Sequence, residues 1–271
     1  MELIYIVIAL LAVSGVSLVG LLLLPLGEER FKHISSGLAV VMLLGAAALD
    51  LLPEALEMAS GSMVAFWLAV GFFLSVVLRR FVGHEHRHDH SGHGHKGSLV
   101  GVVLFGDALH NFMDGALIGL AFLASTEVGI AATVAVMAHE IPQEIADFGI
   151  LLGEGLSRAR ALFLNFMSAL VSLLGGVGIW FSSQWLPAIS GVVIPLVTGT
   201  FLYIAFVLAR AMWREFSEPE ARRGHLTGIG VGFLILVLLL TFVPEDDHGQ
   251  GIVDDHEDEA MIIMHSISYA E

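Results

Sequence analysis

The sequence predicts an all-α polytopic membrane protein with eight transmembrane helices. Three observations carry this. Of 271 residues, 56% are hydrophobic and 14% charged, and mean hydropathy is +0.83, a balance that suits a chain dissolved in lipid better than a soluble core. Eight apolar runs reach the length of about 20 residues that a helix needs to cross a bilayer: residues 3–25, 33–55, 62–82, 98–124, 127–152, 159–182, 189–212 and 226–243. The twelve Lys and Arg residues all fall in or beside the odd-numbered connections. Arg30 and Lys32 belong to the first, Arg79, Arg80, Arg87 and Lys96 to the third, Arg158 and Arg160 to the fifth, and Arg210, Arg214, Arg222 and Arg223 to the seventh. Basic loops stay on the cytoplasmic side, so both termini are expected outside. Removing one span would put basic loops on opposite sides, so the charge pattern also supports the count.

Residues 1–244 therefore read as one transmembrane domain. The first run opens with Glu2 and has no basic n-region, so it reads as a retained span and not as a cleaved signal. The second ends Asp50-Leu51-Leu52-Pro53-Glu54. Asp50 and Glu54 are one helical turn apart and sit near the outer end, where an entering cation would meet them. The third connection, residues 83–97, holds His84, His86, His88, His90, His93 and His95. Six histidines in twelve residues is a metal-binding composition, suited to buffering or sensing metal on the cytoplasmic side.

The fourth and fifth runs carry the chemistry. The fourth contains Asp107, His110, Asn111 and Asp114. With about 100° of turn per residue, Asp114, Asp107 and Asn111 lie at roughly 40°, 60° and 100° from His110, on one face. The fifth contains His139, Glu140, Gln143, Glu144 and Asp147, at about 0°, 100°, 40°, 140° and 80°, again on one side. Pro142 removes the amide that would bond the Ala138 carbonyl, predicting a kink beside His139 and a further oxygen donor. Ionisable groups at this depth are expensive and mark ion pathways. Imidazole, carboxylate and amide oxygen suit zinc, iron, manganese or cobalt. Five carboxylates on two helices would repel unless a cation sat among them. With no cysteine, a thiolate site for copper(I) is excluded and the redox compartment is not legible. The net charge of −15 argues against a nucleic-acid partner.

The later runs are plainer. The sixth carries Asn165, a candidate secondary ligand, and Ser168. Thr198, Thr200 and Tyr203 in the seventh read as polar glue between helices. Trp180, Trp185 and Trp213 read as interface anchors. Residues 245–271 form an acidic tail, expected outside, where it could concentrate cations.

Gly106-Asp107, His110-Asn111 and Asp114-Gly115, with His139-Glu140-Ile141-Pro142 and Glu144 through Asp147-Phe148, resemble the metal-binding helices of the ZIP (Zrt/Irt-like) divalent metal transporters. The resemblance covers essentially all eight spans. It implies a 3+2+3 bundle in which spans one to three and six to eight are related by an inverted repeat around spans four and five. It implies a homodimer in an inner or plasma membrane that brings zinc, or else iron, manganese, cobalt or cadmium, toward the cytoplasm by alternating access, with no organic cofactor. Matching positions make His110, Asp114, His139 and Gln143 ligands of a main site. Asn111, Glu140 and Gln143 line a neighbouring one, with Glu144 and Asp147 in the same stretch, and Asp50, Glu54 and Asp107 belong to the entrance pathway. The chain departs from the pattern in having Gln143 where relatives have histidine or glutamate, Asn165 where some have an acid, and no acid near Leu208.

Three other kinds of protein share parts of this pattern. An intramembrane zinc metalloprotease needs His-Glu-x-x-His, and Gln143 stands in place of the second histidine. A cation-diffusion-type exporter has six spans and a cytosolic C-terminal domain. A non-conducting metal sensor would share the site but not the uptake. An enzymatic role is therefore not expected.

Overall fold

A computed structural model describes residues 2–19, 28–82, 99–183 and 186–242. The regular elements among them are all helical: α1 (Glu2–Val16), α2 (Glu28–Gly45), a π-helical turn (Ala46–Leu51), α3 (Leu52–Met58), α4 (Gly61–Val82), α5 (Val100–Ala124), α6 (Thr126–Gly153), α7 (Arg158–Ala169), α8 (Ser172–Phe181), α9 (Leu186–Glu215) and α10 (Pro219–Phe242). Among the described residues, six segments are long and apolar enough to cross a membrane: Glu2–Val19, Glu29–Met58, Gly61–Arg80, Arg158–Phe181, Ile189–Glu215 and Pro219–Thr241. α5 and α6 have the length, at 25 and 28 residues, but their carboxylates, histidines and amides reduce their hydropathy. They are also the helices that sequence reading assigned the metal chemistry. The histidine-rich stretch from His84 to His95, Trp185 and the acidic tail lie outside the described residues.

Two runs expected to be single helices are interrupted. In the second, α2 passes through the π-helical turn into α3, with Pro53 in the first turn of α3. A proline ring clashes with the carbonyl four residues before it. The wider turn relieves this: the Leu52 amide bonds the Ala47 carbonyl, five residues back. In the sixth, the helix breaks between α7 and α8, and the Val171 amide bonds the Ser168 carbonyl at 3.0 Å. The break is stitched from α1. Ser14 Oγ bonds the Leu10 carbonyl at 2.8 Å and the Ala169 carbonyl at 3.1 Å, and lies 3.3 Å from Ser172 Oγ.

α9 is the most buried of the six candidate spans, with 61% of its window covered, against 17% for Gly61–Arg80 and 22% for Pro219–Thr241. Its Ile194, Val197, Phe201 and Ile204 join Leu38, Met42, Val102, Val103 and Ile150 in the main core. The hydroxyls of Thr198 and Thr200 bond the Ile194 and Leu196 carbonyls of their own helix, at 2.9 and 3.1 Å, instead of bridging helices. α5 and α8 touch backbone to backbone. A Cβ at Gly115 would lie 1.9 Å from the Ser172 carbonyl oxygen, and one at Gly175 1.9 Å from that of Phe112. Only glycine permits this approach, and it fixes the face of α5 that turns inward.

At the end where α2, α5, α7 and α10 begin and α6 and α9 finish, the Leu99 amide bonds Glu154 Oε2 at 2.9 Å. The apolar cluster Phe31, Phe148, Leu151, Leu152 and Ala161 closes the bundle there. Arg30, Lys32, Arg158, Arg160, Arg210, Arg214, Arg222 and Arg223 gather at this same end.

Candidate metal site

α5 and α6 run antiparallel, joined by the short turn at Ser125, whose hydroxyl accepts from the Val128 amide at 3.2 Å and caps α6. The antiparallel register sets Asp114 opposite His139, and Asp107 opposite Glu144. His139 Nε2 lies 3.1 Å from Asp114 Oδ2. His110 Nε2 lies 3.5 Å from Glu140 Oε1 and 3.7 Å from Asp114 Oδ2, and His139 Nε2 lies 3.9 Å from Glu140 Oε1. Ligands about 2.0–2.1 Å from a tetrahedral zinc stand about 3.3 Å apart. The four donors therefore hold nearly the spacing of one coordination shell.

A second group adjoins the first. Asp107, Glu140 and Glu144 each offer an oxygen within 4.8 Å of the other two, so Glu140 belongs to both groups. Asp107 was read from sequence as part of the entrance; it lies here, buried, its Oδ1 accepting from Asn111 Nδ2 at 2.9 Å. Asn165 Nδ2 donates to Glu144 Oε2, which brings α7 against the group. On the same helix the Ser168 hydroxyl bonds the Asn165 carbonyl at 2.9 Å. Asp147 lies further along α6, near enough for its charge and that of Asp107 to act on Glu144. From His139 to Asp147 the column extends about 12 Å, at about 1.5 Å per residue.

The electrostatics call for a cation. His110, Asn111, Asp107, Asp114, Glu140, Gln143, Glu144, Asp147 and Asn165 are all buried. Among the described residues, seven buried side-chain polar atoms have no hydrogen-bond partner, and all seven belong to this column: Asp107 Oδ2, His110 Nε2, Asn111 Oδ1, Glu140 Oε1, Gln143 Nε2, Glu144 Oε1 and Asn165 Oδ1. Orphaned polar atoms are costly to bury. Five carboxylates with two imidazoles among them leave an excess of negative charge that one or two divalent cations would offset.

The column opens at one end. The His139 side chain is 33% exposed, Asp50 is exposed and Glu54 half-buried. The charge of Asp50 acts on His139, and those of Asp50 and Asp114 act on Glu54. At the other end the cluster around Phe148 closes it. Phe201, whose ring lies 5.4 Å from that of His110, walls the site from α9; it was not legible beforehand, because an aromatic in an apolar helix carries no distinguishing pattern.

Membrane-crossing helices around a buried borderline-metal donor set define a metal-handling membrane protein. The sequence profile of the family described as ZIP Zinc transporter matches residues 82–240, more than half of the chain, and the protein belongs to that family. The Metal cation symporter ZIP14 of Xenopus tropicalis is 37% identical over 159 residues, covering 54% of this chain and 33% of that protein. The Metal cation symporter ZIP14 of Danio rerio is 40% identical over 148 residues, 53% of this chain and 28% of its own length. The Zinc transporter ZIP4 of Homo sapiens is 36% identical over 155 residues, 54% and 23%. The matched stretch thus spans about a third or less of these relatives.

Proposed function

We propose that this protein carries divalent transition-metal cations, zinc foremost, across a membrane toward the cytoplasm by alternating access. The observation that carries the reading is the pair of buried donor groups sharing Glu140, with their unpartnered atoms confined to that column. Family membership supports transport over catalysis. The donor set also accommodates iron, manganese, cobalt or cadmium.

In this reading α5 and α6 join the six apolar segments to give eight spans in a 3+2+3 arrangement with an inverted repeat. The protein works as a homodimer in the plasma or inner membrane, termini outside and the basic end cytoplasmic. A hydrated cation meets Asp50 and Glu54 and passes to His139. It exchanges water for His110, Asp114, His139 and Glu140, with the amide oxygen of Gln143 as a weaker donor. Glu140 then hands it to Asp107 and Glu144, where Asn111 and Asn165 orient the carboxylates. Asp147 receives it once the Phe148 cluster parts, and the histidines of residues 84–95 take it up beyond. The open end at His139 and the apolar seal at Phe148 support an outward-accessible arrangement.

Uptake of radiolabelled zinc into cells or liposomes, comparing His110→Ala and His139→Ala with the parent, tests this. Loss of uptake in folded variants is expected, and unchanged uptake would reject the ligand assignments. A non-conducting sensor would bind metal to the parent with no accumulation.

A further inference from the structure

Outside the central column, a second convergence of metal-binding side chains lies at the basic end. His33 comes from the second turn of α2, Glu215 from the last residue of α9 and His225 from the second turn of α10. Their donor atoms lie within 4.8 Å of one another. His225 is buried, with a side chain 2% exposed, whereas His33 and Glu215 reach solvent at 23% and 49%.

The hydrogen bonding of His225 fixes what the cluster needs. Its Nδ1 lies 3.0 Å from the His33 carbonyl oxygen. A carbonyl only accepts, so Nδ1 carries the proton. In the neutral ring Nε2 is then a bare lone pair, and it faces Glu215 Oε2 at 3.2 Å. Two acceptors at that distance repel unless something positive lies between them. A proton alone would serve His225 and Glu215 and leave the third group unexplained. His33 Nε2 approaches the same Glu215 oxygen at 3.9 Å, its ring 5.0 Å from that of His225 and turned 70° to it. Two imidazole nitrogens thus converge on one carboxylate oxygen, at separations that bracket the about 3.3 Å between ligands of a tetrahedral metal. The Nδ1 bond to a backbone carbonyl is the arrangement that orients a histidine ligand and raises its basicity.

We propose that His33, Glu215 and His225 form a second divalent-metal site, of the zinc or cobalt class, distinct from the central column. Two imidazoles and a carboxylate leave one position for water, and the exposure of Glu215 lets the site load from the adjoining solvent. The backbone holds it ready: a Cβ at Gly37 would lie 2.3 Å from the His225 carbonyl oxygen, so α2 and α10 are in direct contact one turn from the ligands. A metal bound there fastens the start of α2 to the α9–α10 hairpin, joining residues 182 and 192 positions apart.

The test uses the full chain with the histidines of residues 84–95 and His248, His256 and His265 changed to serine, and with His110→Ala and His139→Ala, so that the other imidazoles are removed. Cobalt(II) is titrated and followed by its visible absorption and by equilibrium stoichiometry, with zinc in competition. One equivalent with the intense bands of a four-coordinate centre is expected, and Glu215→Ala and His33→Ala should each remove it. Because His225 is buried, its own variant is not relied on. Thermal unfolding without metal checks that both exposed-side variants fold. Equal stoichiometry and spectra in folded background, Glu215→Ala and His33→Ala chains would overturn the proposal. The readout is binding in a chain lacking central histidines, so it stands or falls separately from zinc uptake by the parent.

Discussion

The inner pair α5 and α6 and the outer pair α4 and α10 are built on opposite rules. α4 and α10 turn Phe66, Phe73, Phe233, Leu234 and Leu238 outward, and these side chains carry no polar atom that needs a partner. In lipid an apolar face gains little from one apolar neighbour over another. On α5 and α6 the buried faces include Asp107, His110, Asn111, Asp114, Glu140, Gln143, Glu144 and Asp147, and each must find a donor, an acceptor or a cation. The outward faces of α4 and α10 are therefore tolerant in composition, and the polar faces of α5 and α6 are specified atom by atom.

Substitutions can break or sharpen this contrast. The largest effect is expected at Gly115→Leu, which drives a side chain into the Ser172 carbonyl and parts α5 from α8. Folded yield by size-exclusion chromatography should collapse. Gly230 on α10, with nothing within 4 Å of an added Cβ, should accept alanine with no loss, and a similar loss at both would erase the distinction. Next comes His110→Ala, which removes a central donor and should lower zinc uptake at least about 100-fold with the protein still folded, exceeding the 10–100-fold typical of groups that only orient ligands. Asn165→Ala strips Glu144 of its donor. A loss of roughly 10-fold in zinc affinity, measured by competition with a chelator, is expected for such an orienting group. The smallest change is Phe73→Leu on the lipid-facing side of α4, which should alter unfolding free energy in lipid by less than about 0.5 kcal/mol.

The polar stripes of α5 and α6 were legible because a buried ionisable group is conspicuous against an apolar helix and a period of 3.6 puts the stripe on one face. Cross-helix partnership was not. That Asp107 meets Glu144 depends on the antiparallel register and on the Asn165 side chain from α7. Pro53 was visible, yet whether the helix would kink, break or widen around it depends on what surrounds Ala46–Leu51. The six histidines of residues 84–95 drew attention by density. His33 and His225, each alone in its own stretch, could be joined only by the contact of α2 with α10.

The widened turn at Ala46–Leu51 has a mechanical corollary. It stores one residue more per turn than the helix on either side. Passing that residue into ordinary α-geometry would swivel the segment beyond it by about 100°. Asp50 sits within the turn and Glu54 just past it, while Gly37 remains locked against α10. One end of a single membrane-crossing rod can thus be re-aimed while the other stays anchored, at the cost of re-pairing a few backbone hydrogen bonds.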